Sequence, residues 1–131
     1  MMELSSLTTG IQHIGVPTTD IVRSAAFYES LGFRTELDTI NETNGARVVF
    51  LRLHNLVIET YESPDAVGQP GAVDHIALDA TDVDAAFAQA KAQGLNVLDE
   101  EVHFLPFWEK GVRFFTVLGP NGEKVEYCQR L

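Results

Sequence analysis

A single cysteine, Cys128, stands in a chain of 131 residues, so no disulfide can form within it and a reducing, cytoplasmic setting is expected. Basic residues are scarce: nine Lys and Arg against nineteen Asp and Glu leave a formal charge of −10. A field of that sign repels phosphate backbones and anionic bilayers, so neither nucleic acid nor a membrane is an expected partner. No run of about 18 apolar residues occurs, and with it goes the expectation of a spanning helix. The opening MMELSSLTTG has neither a basic start nor an apolar stretch, so no signal peptide is expected. What is present is ordinary: 45% hydrophobic and 21% charged residues, enough to bury a core without metal or disulfide staples. The length suits one domain spanning 1–131, or two small halves sharing a core.

The chain repeats itself, and a repeat changes the reading of every residue in it. Shifted by 62, 12-QHIGV-16 falls on 74-DHIAL-78, Asp20 on Asp82, Ala26 on Ala88 and Gly32 on Gly94. Shifted by 67, 55-NLVIETY-61 falls on 122-GEKVEYC-128. The five-residue difference places an insertion in the second half within 96–111. Each half reads alike. A β-rich segment (11–17, 73–79) runs into an N-cap residue, Asp20 or Asp82, then a helix with near-helical apolar spacing that closes at Gly32 or Gly94. Three strand candidates follow in each half: 34–39, 46–53 and 56–62, then about 96–102, 112–118 and 123–129. The reading is α+β, two tandem βαβββ units at about 10–62 and 72–131, joined by the turn-rich stretch 63–71.

Apart from the Thr-Asp pair at each helix N-cap, four polar residues keep their identity through the duplication: His13 with His75, and Glu59 with Glu126. A lone histidine in an apolar strand is ordinarily a satisfied core residue, and a lone strand glutamate a solvated one. Four related by one internal repeat weigh towards ligands, because two His and two Glu form a mixed N/O set for a divalent metal. The two-residue alternation of strands supports this. With Ile14, Val16 and Ile58 set against a helix, His13 and Glu59 turn to the opposite face. Ile76, Leu78 and Val125 do the same for His75 and Glu126.

The duplicated pattern, with His13 in QHIGV, Glu59 in VIETY, His75 in DHIAL and Glu126 in GPNGEKVEYCQ, resembles the vicinal oxygen chelate superfamily of glyoxalases, bleomycin resistance proteins and extradiol dioxygenases. The full His-Glu-His-Glu set is similar to that of bacterial glyoxalase I, lactoylglutathione lyase. The resemblance implies sheets forming a concave, partly open barrel around one divalent metal per site, with nickel, zinc or cobalt expected ahead of iron or manganese. It further implies action on a small molecule by proton transfer next to a metal-bound carbonyl, through an enediolate, on a substrate such as the hemithioacetal of methylglyoxal. A homodimer is expected from the small size and from the edge strands that βαβββ units leave open. Glu59 and Glu126 are then both candidate bases. Bacterial glyoxalase I also carries an Arg four residues after the first His and an Asn four after the first Glu, contacting glutathione; Pro17 and Ser63 hold those places here. The superfamily offers alternatives: an acyl-CoA epimerase, an Fe(II) ring-cleaving dioxygenase, or a non-catalytic drug- or metabolite-binding protein.

Three further features bear on a substrate. Arg23, Arg47, Arg52 and Arg113 are candidate anchors for an anion. The 103-HFLPFWEKG-111 stretch gathers His103, Phe107 and Trp108 as candidate substrate contacts. It can close over a ligand, pack on a second subunit, or fill core. Cys128 shares a strand face with Glu126, and an inert packed thiol is its expected role.

Overall fold

The computed structural model describes residues 3–7, 9–71 and 73–131. The expected start of the second repeat at Ala72, like Met1, Met2 and Thr8, lies outside them. The chain divides into two compact units, 1–66 and 67–131, and the division falls inside the turn-rich stretch. Among the described residues no helix is long and apolar enough to cross a membrane.

In the first unit a short 3-10 turn, Leu4–Leu7, precedes β1 (Ile14–Thr18), α1 (Ile21–Ser30), β2 (Arg34–Ile40), β3 (Arg47–Leu53) and β4 (Leu56–Glu62). The second contains β5 (His75–Asp79), α2 (Val83–Ala92), β6 (His103–Leu105), β7 (Val112–Leu118) and β8 (Lys124–Arg130). Each unit builds one four-stranded sheet, ordered β1-β4-β3-β2 and β5-β8-β7-β6. First and last strands run parallel; the other neighbours are antiparallel. Both sheets are thus βαβββ, as the repeat predicts.

Local chemistry explains why the helices begin and end where they do. The Asp20 carboxylate accepts the Arg23 N–H and the Asp82 carboxylate the Ala85 N–H, both at 3.1 Å, satisfying backbone donors the helix leaves unpaired. At the far end Gly32 takes φ +99°, a conformation that favours glycine. Gly32 N–H then reaches the Glu29 carbonyl and Phe33 N–H the Tyr28 carbonyl, while the Tyr28 and Phe33 rings meet at 5.2 Å, a Schellman closure with its apolar contact. Gly94, at φ +74°, repeats the two bonds to Lys91 and Ala90.

One face of the first sheet packs under α1. Leu51, Ile58 and Thr60 are fully buried there and Val49 nearly so, and complete burial of each aliphatic side chain is worth roughly 1.5–3 kcal/mol. The Ser24 hydroxyl on α1 donates to Thr18 Oγ1 at 2.9 Å, which fixes that face as the one bearing Ile14, Val16 and Thr18. Their neighbours of opposite parity therefore face away from the helix.

One strand expectation fails. Residues 96–102 form no strand; a single bridge links Val97 to Val117, and pairing resumes only at β6, inside the stretch read as an aromatic loop. The cause is Asp99. Its carboxylate accepts the Thr116 N–H at 2.7 Å, taking the donor a neighbouring strand would use, and the five inserted residues carry the chain past the gap.

Candidate functional site

His13 stands one residue before β1, and the parallel pairing of β1 with β4 sets Gly15 opposite Glu59. His13, Gly15 and Glu59 therefore share the face turned from α1, and His13 Nε2 lies 3.4 Å from Glu59 Oε1. The other ring nitrogen is occupied: Nδ1 is 2.9 Å from Gln12 Oε1. An amide oxygen only accepts, so Nδ1 carries a proton, and Nε2 is the nitrogen turned towards the carboxylate. A ring nitrogen and a carboxylate oxygen at that distance are bridged by a proton or by a cation between them. The Phe50 ring, edge-on at 5.7 Å, holds the imidazole plane.

The second unit repeats the register. Ala77 pairs with Glu126 across β5 and β8, two residues after His75, as Gly15 follows His13. Here Nδ1 of His75 is 3.0 Å from Asp74 Oδ2, and Lys124 Nζ holds the other Asp74 oxygen at 3.3 Å. The His75 hydrogen bond, helped by Lys124, keeps the Asp74 carboxyl below the usual carboxylate range. Again Nδ1 is tied and Nε2 is the ring nitrogen left to meet a ligand, the arrangement by which metal-binding histidines are oriented.

Among the described residues no His75–Glu126 contact forms, and no three His, Cys, Asp or Glu side chains come together as a metal-holding group. What each unit does present is one imidazole Nε2 and one carboxylate on a shared strand face. That donor chemistry fits a divalent metal.

Beside Glu59 lies a cavity of about 260 Å³ whose walls include Gly15, Asn41, Asn44, Val48 and Tyr61. Neither Asn had drawn notice in the sequence; both sit in the turn between β2 and β3, and turn composition alone carries no sign of which way it faces. Gln12 and Asp74 were not singled out either; the signal that could have found them is a side-chain oxygen immediately before each repeated histidine.

The expected anion anchors are largely engaged. Arg47 makes two bonds to Asp38, at 3.0 and 2.7 Å, Arg113 makes two to Asp84, and Arg52 pairs with Glu36. Of the aromatic stretch, Phe107 and Trp108 are 56% and 68% exposed, so they do not fill core. Trp108 lies under the Arg130 guanidinium at 4.1 Å. His103 Nε2 meets Asp99 Oδ1 at 2.8 Å. Burial first, then Glu126 and Asp79, pushes the Cys128 thiol above its ordinary pKa.

A duplicated βαβββ fold with a His and a Glu on one face of each half defines a class. The chain belongs to the glyoxalase/bleomycin resistance protein/dioxygenase superfamily, whose sequence profile matches residues 10–127. It is 35% identical over 128 residues to the uncharacterized protein YwbC of Bacillus subtilis (strain 168), covering 92% of this chain and 97% of that protein. Its fold is similar to the fosfomycin resistance protein FosX from Listeria monocytogenes, complexed with Mn(II) and sulfate (TM-score 0.72, 18% identity, 95% of this chain and 94% of that one). It is likewise similar to lactoylglutathione lyase from Agrobacterium tumefaciens (TM-score 0.69, 20% identity, 93% and 94% covered). At those identities the two structures speak for the fold alone.

Proposed function

We propose that the chain is a divalent-metal-dependent enzyme of glyoxalase I type, moving a proton between adjacent carbons of a small α-carbonyl compound or its thiol adduct. His13 and Glu59 of the first unit and His75 and Glu126 of the second are its protein ligands; nickel, zinc or cobalt is the expected metal, and the cytoplasm its compartment. The observation that carries this reading is the His13–Glu59 pair, in which Nδ1 is tied to Gln12 and Nε2 faces a carboxylate at 3.4 Å. Bound there, the metal supplies Lewis-acid polarisation of the substrate carbonyl.

The chain's own residues do the rest. Glu59 opens onto the cavity in the first unit, so it is the carboxylate that takes the carbon-bound proton and returns it one carbon along. General-base work of this kind contributes typically about 10²–10⁴-fold. Gly15 opposite leaves the space beside that carboxylate free. His103, Phe107 and Trp108 serve as further substrate contacts, the exposed aromatics closing over the ligand.

The test is solvent exchange. Metal-loaded protein is incubated in D₂O with the hemithioacetals of methylglyoxal formed with 2-mercaptoethanol and with glutathione, and loss of the carbon-bound proton is followed by NMR. Enzyme-dependent exchange, reduced at least a hundredfold in Glu59→Gln, is expected. No exchange with any adduct at full metal loading overturns the proposal. One observation favours a second reading, a binding protein without metal: no three-ligand group is assembled among the described residues.

A further inference from the structure

We infer that the cavity in the first unit recognises a compact, uncharged, oxygen-bearing group, held by the side-chain amides of Asn41 and Asn44 and the phenol of Tyr61; this rests on the reading of Glu59 above and names the substrate class it serves.

Three observations carry the inference. The first is donor supply. Asn41 Oδ1 accepts the Thr43 N–H at 3.0 Å and Asn44 Oδ1 accepts the Ala46 N–H at 2.9 Å. Each amide oxygen already accepts one bond within its own turn, whereas each amide NH₂ has no hydrogen-bond partner among the described residues, and an NH₂ only donates. The Tyr61 phenol can donate as well. Such a wall suits hydroxyl and carbonyl oxygens.

The second is charge. The cavity has one ionisable acid on its walls, Glu59, and no Lys or Arg. A second hollow of about 360 Å³, which shares Asn44 and Ala46 with the first, adds Glu62 and again no base. Arg47, the nearest cation in sequence, is bound to Asp38 through two hydrogen bonds. The proposed ligand set of two neutral imidazoles and two carboxylates cancels a divalent charge, leaving no surplus to attract an anion. A phosphonate, a carboxylate or the phosphates of an acyl-CoA would find donors but no counter-charge, and desolvating an unpaired anion is costly.

The third is size. A volume of about 260 Å³ lies below the roughly 300–1,000 Å³ typical of drug-sized sites, so the occupant is small. The space is set by Gly15: a Cβ there would meet Tyr61 Cε1 at 3.5 Å and Glu59 Oε1 at 3.9 Å, ordinary contacts that a folded chain accepts. A valine's outer methyls would extend into the cavity itself.

The test uses three methyl ketones of one skeleton: hydroxyacetone (neutral), pyruvate (anionic) and aminoacetone (cationic). Each is titrated into the full-length, zinc-loaded protein while the side-chain amide signals of Asn41 and Asn44 are followed by ¹⁵N NMR. Hydroxyacetone is expected to shift both signals saturably, at least tenfold more tightly than either charged ketone. Gly15→Val should abolish the shifts and Gly15→Ala retain them. Asn44→Asp, which keeps the acceptor for Ala46 N–H but replaces the donor by a charge, should weaken hydroxyacetone about tenfold. Pyruvate or aminoacetone binding as tightly as hydroxyacetone overturns the inference, as does silence of both Asn signals with all three. Exchange of hydroxyacetone's carbon-bound protons in D₂O, read in the same tubes, reports separately on proton transfer: binding without exchange sinks the catalytic reading and leaves the recognition site standing.

Discussion

Two buried threonines of the first unit should respond in opposite directions to the same substitution. Thr60, in β4 beside Glu59 but on the opposite strand face, is completely buried, and its Oγ1 has no hydrogen-bond partner. Its Cα neighbours across the sheet are Val16 and Val49, so a methyl in place of the hydroxyl meets apolar surroundings. Valine keeps the β-branched shape and the strand preference. An unsatisfied buried hydroxyl costs about 1–3 kcal/mol, so Thr60→Val should stabilise by about 1–2 kcal/mol. Thr18 is buried as well, yet its hydroxyl donates to the Asp20 carbonyl and accepts from Asp20 N–H and Ser24 Oγ. Three bonds converge on that oxygen at the start of α1, and Thr18→Val should destabilise by about 2 kcal/mol, each bond contributing net about 0.5–1.5 kcal/mol. Urea titration checks both: the midpoint should rise for Thr60→Val and fall for Thr18→Val with the slope unchanged. A midpoint that falls for Thr60→Val, or that moves the same way in both variants, refutes the reasoning.

The orienting residues supply the next expectation: Gln12→Ala and Asp74→Ala should each weaken Zn(II) binding by calorimetry about tenfold, the low end of the 10–100-fold range for such partners, because both histidines are partly exposed. The raised Cys128 thiol holds less thiolate at neutral pH than a free cysteine, so alkylation by iodoacetamide should be slow at pH 7–8 and accelerate only above the ordinary thiol range near pH 8.5; rapid reaction at pH 7 contradicts this. Light scattering should give a homodimer at micromolar concentration, and a monomer there contradicts the expectation.

That last expectation changes its footing between sequence and structure. Open sheet edges suggested pairing, but β2 is blunted by a register shift between Thr35 and Leu37 and by Arg34, Glu36 and Asp38, while β6 has only three residues. These are devices that discourage edge pairing, so β2 and β6 carry less of the case than the sequence suggested. The helix ends were legible because caps are local: Asp20, Asp82, Gly32 and Gly94 act within a few residues of themselves. The facing of Glu59 was legible because strands alternate with period two. Residues 96–102 were not, since their fate turns on a carboxylate, Asp99, reaching a backbone donor seventeen residues on. The cavity was not legible either: Asn41 and Asn44 read as turn formers, and their second role depends on where the β2–β3 turn folds relative to Tyr61. The engagement of Arg47, Arg52 and Arg113 by acids likewise follows from cross-strand and helix–strand contacts that no spacing announces.

Metal held by the repeated His and Glu residues is what the proposed chemistry requires, and elemental analysis of purified protein tests for it most directly. The wild-type chain, and His13→Ala and His75→Ala alongside it, is equilibrated with nickel, cobalt, zinc, manganese or iron(II), desalted, and its metal counted. Near-stoichiometric divalent metal in the wild type, with most of it lost in each histidine variant, is the predicted result. Full retention in both variants, or a wild-type chain that holds none of the five, contradicts it.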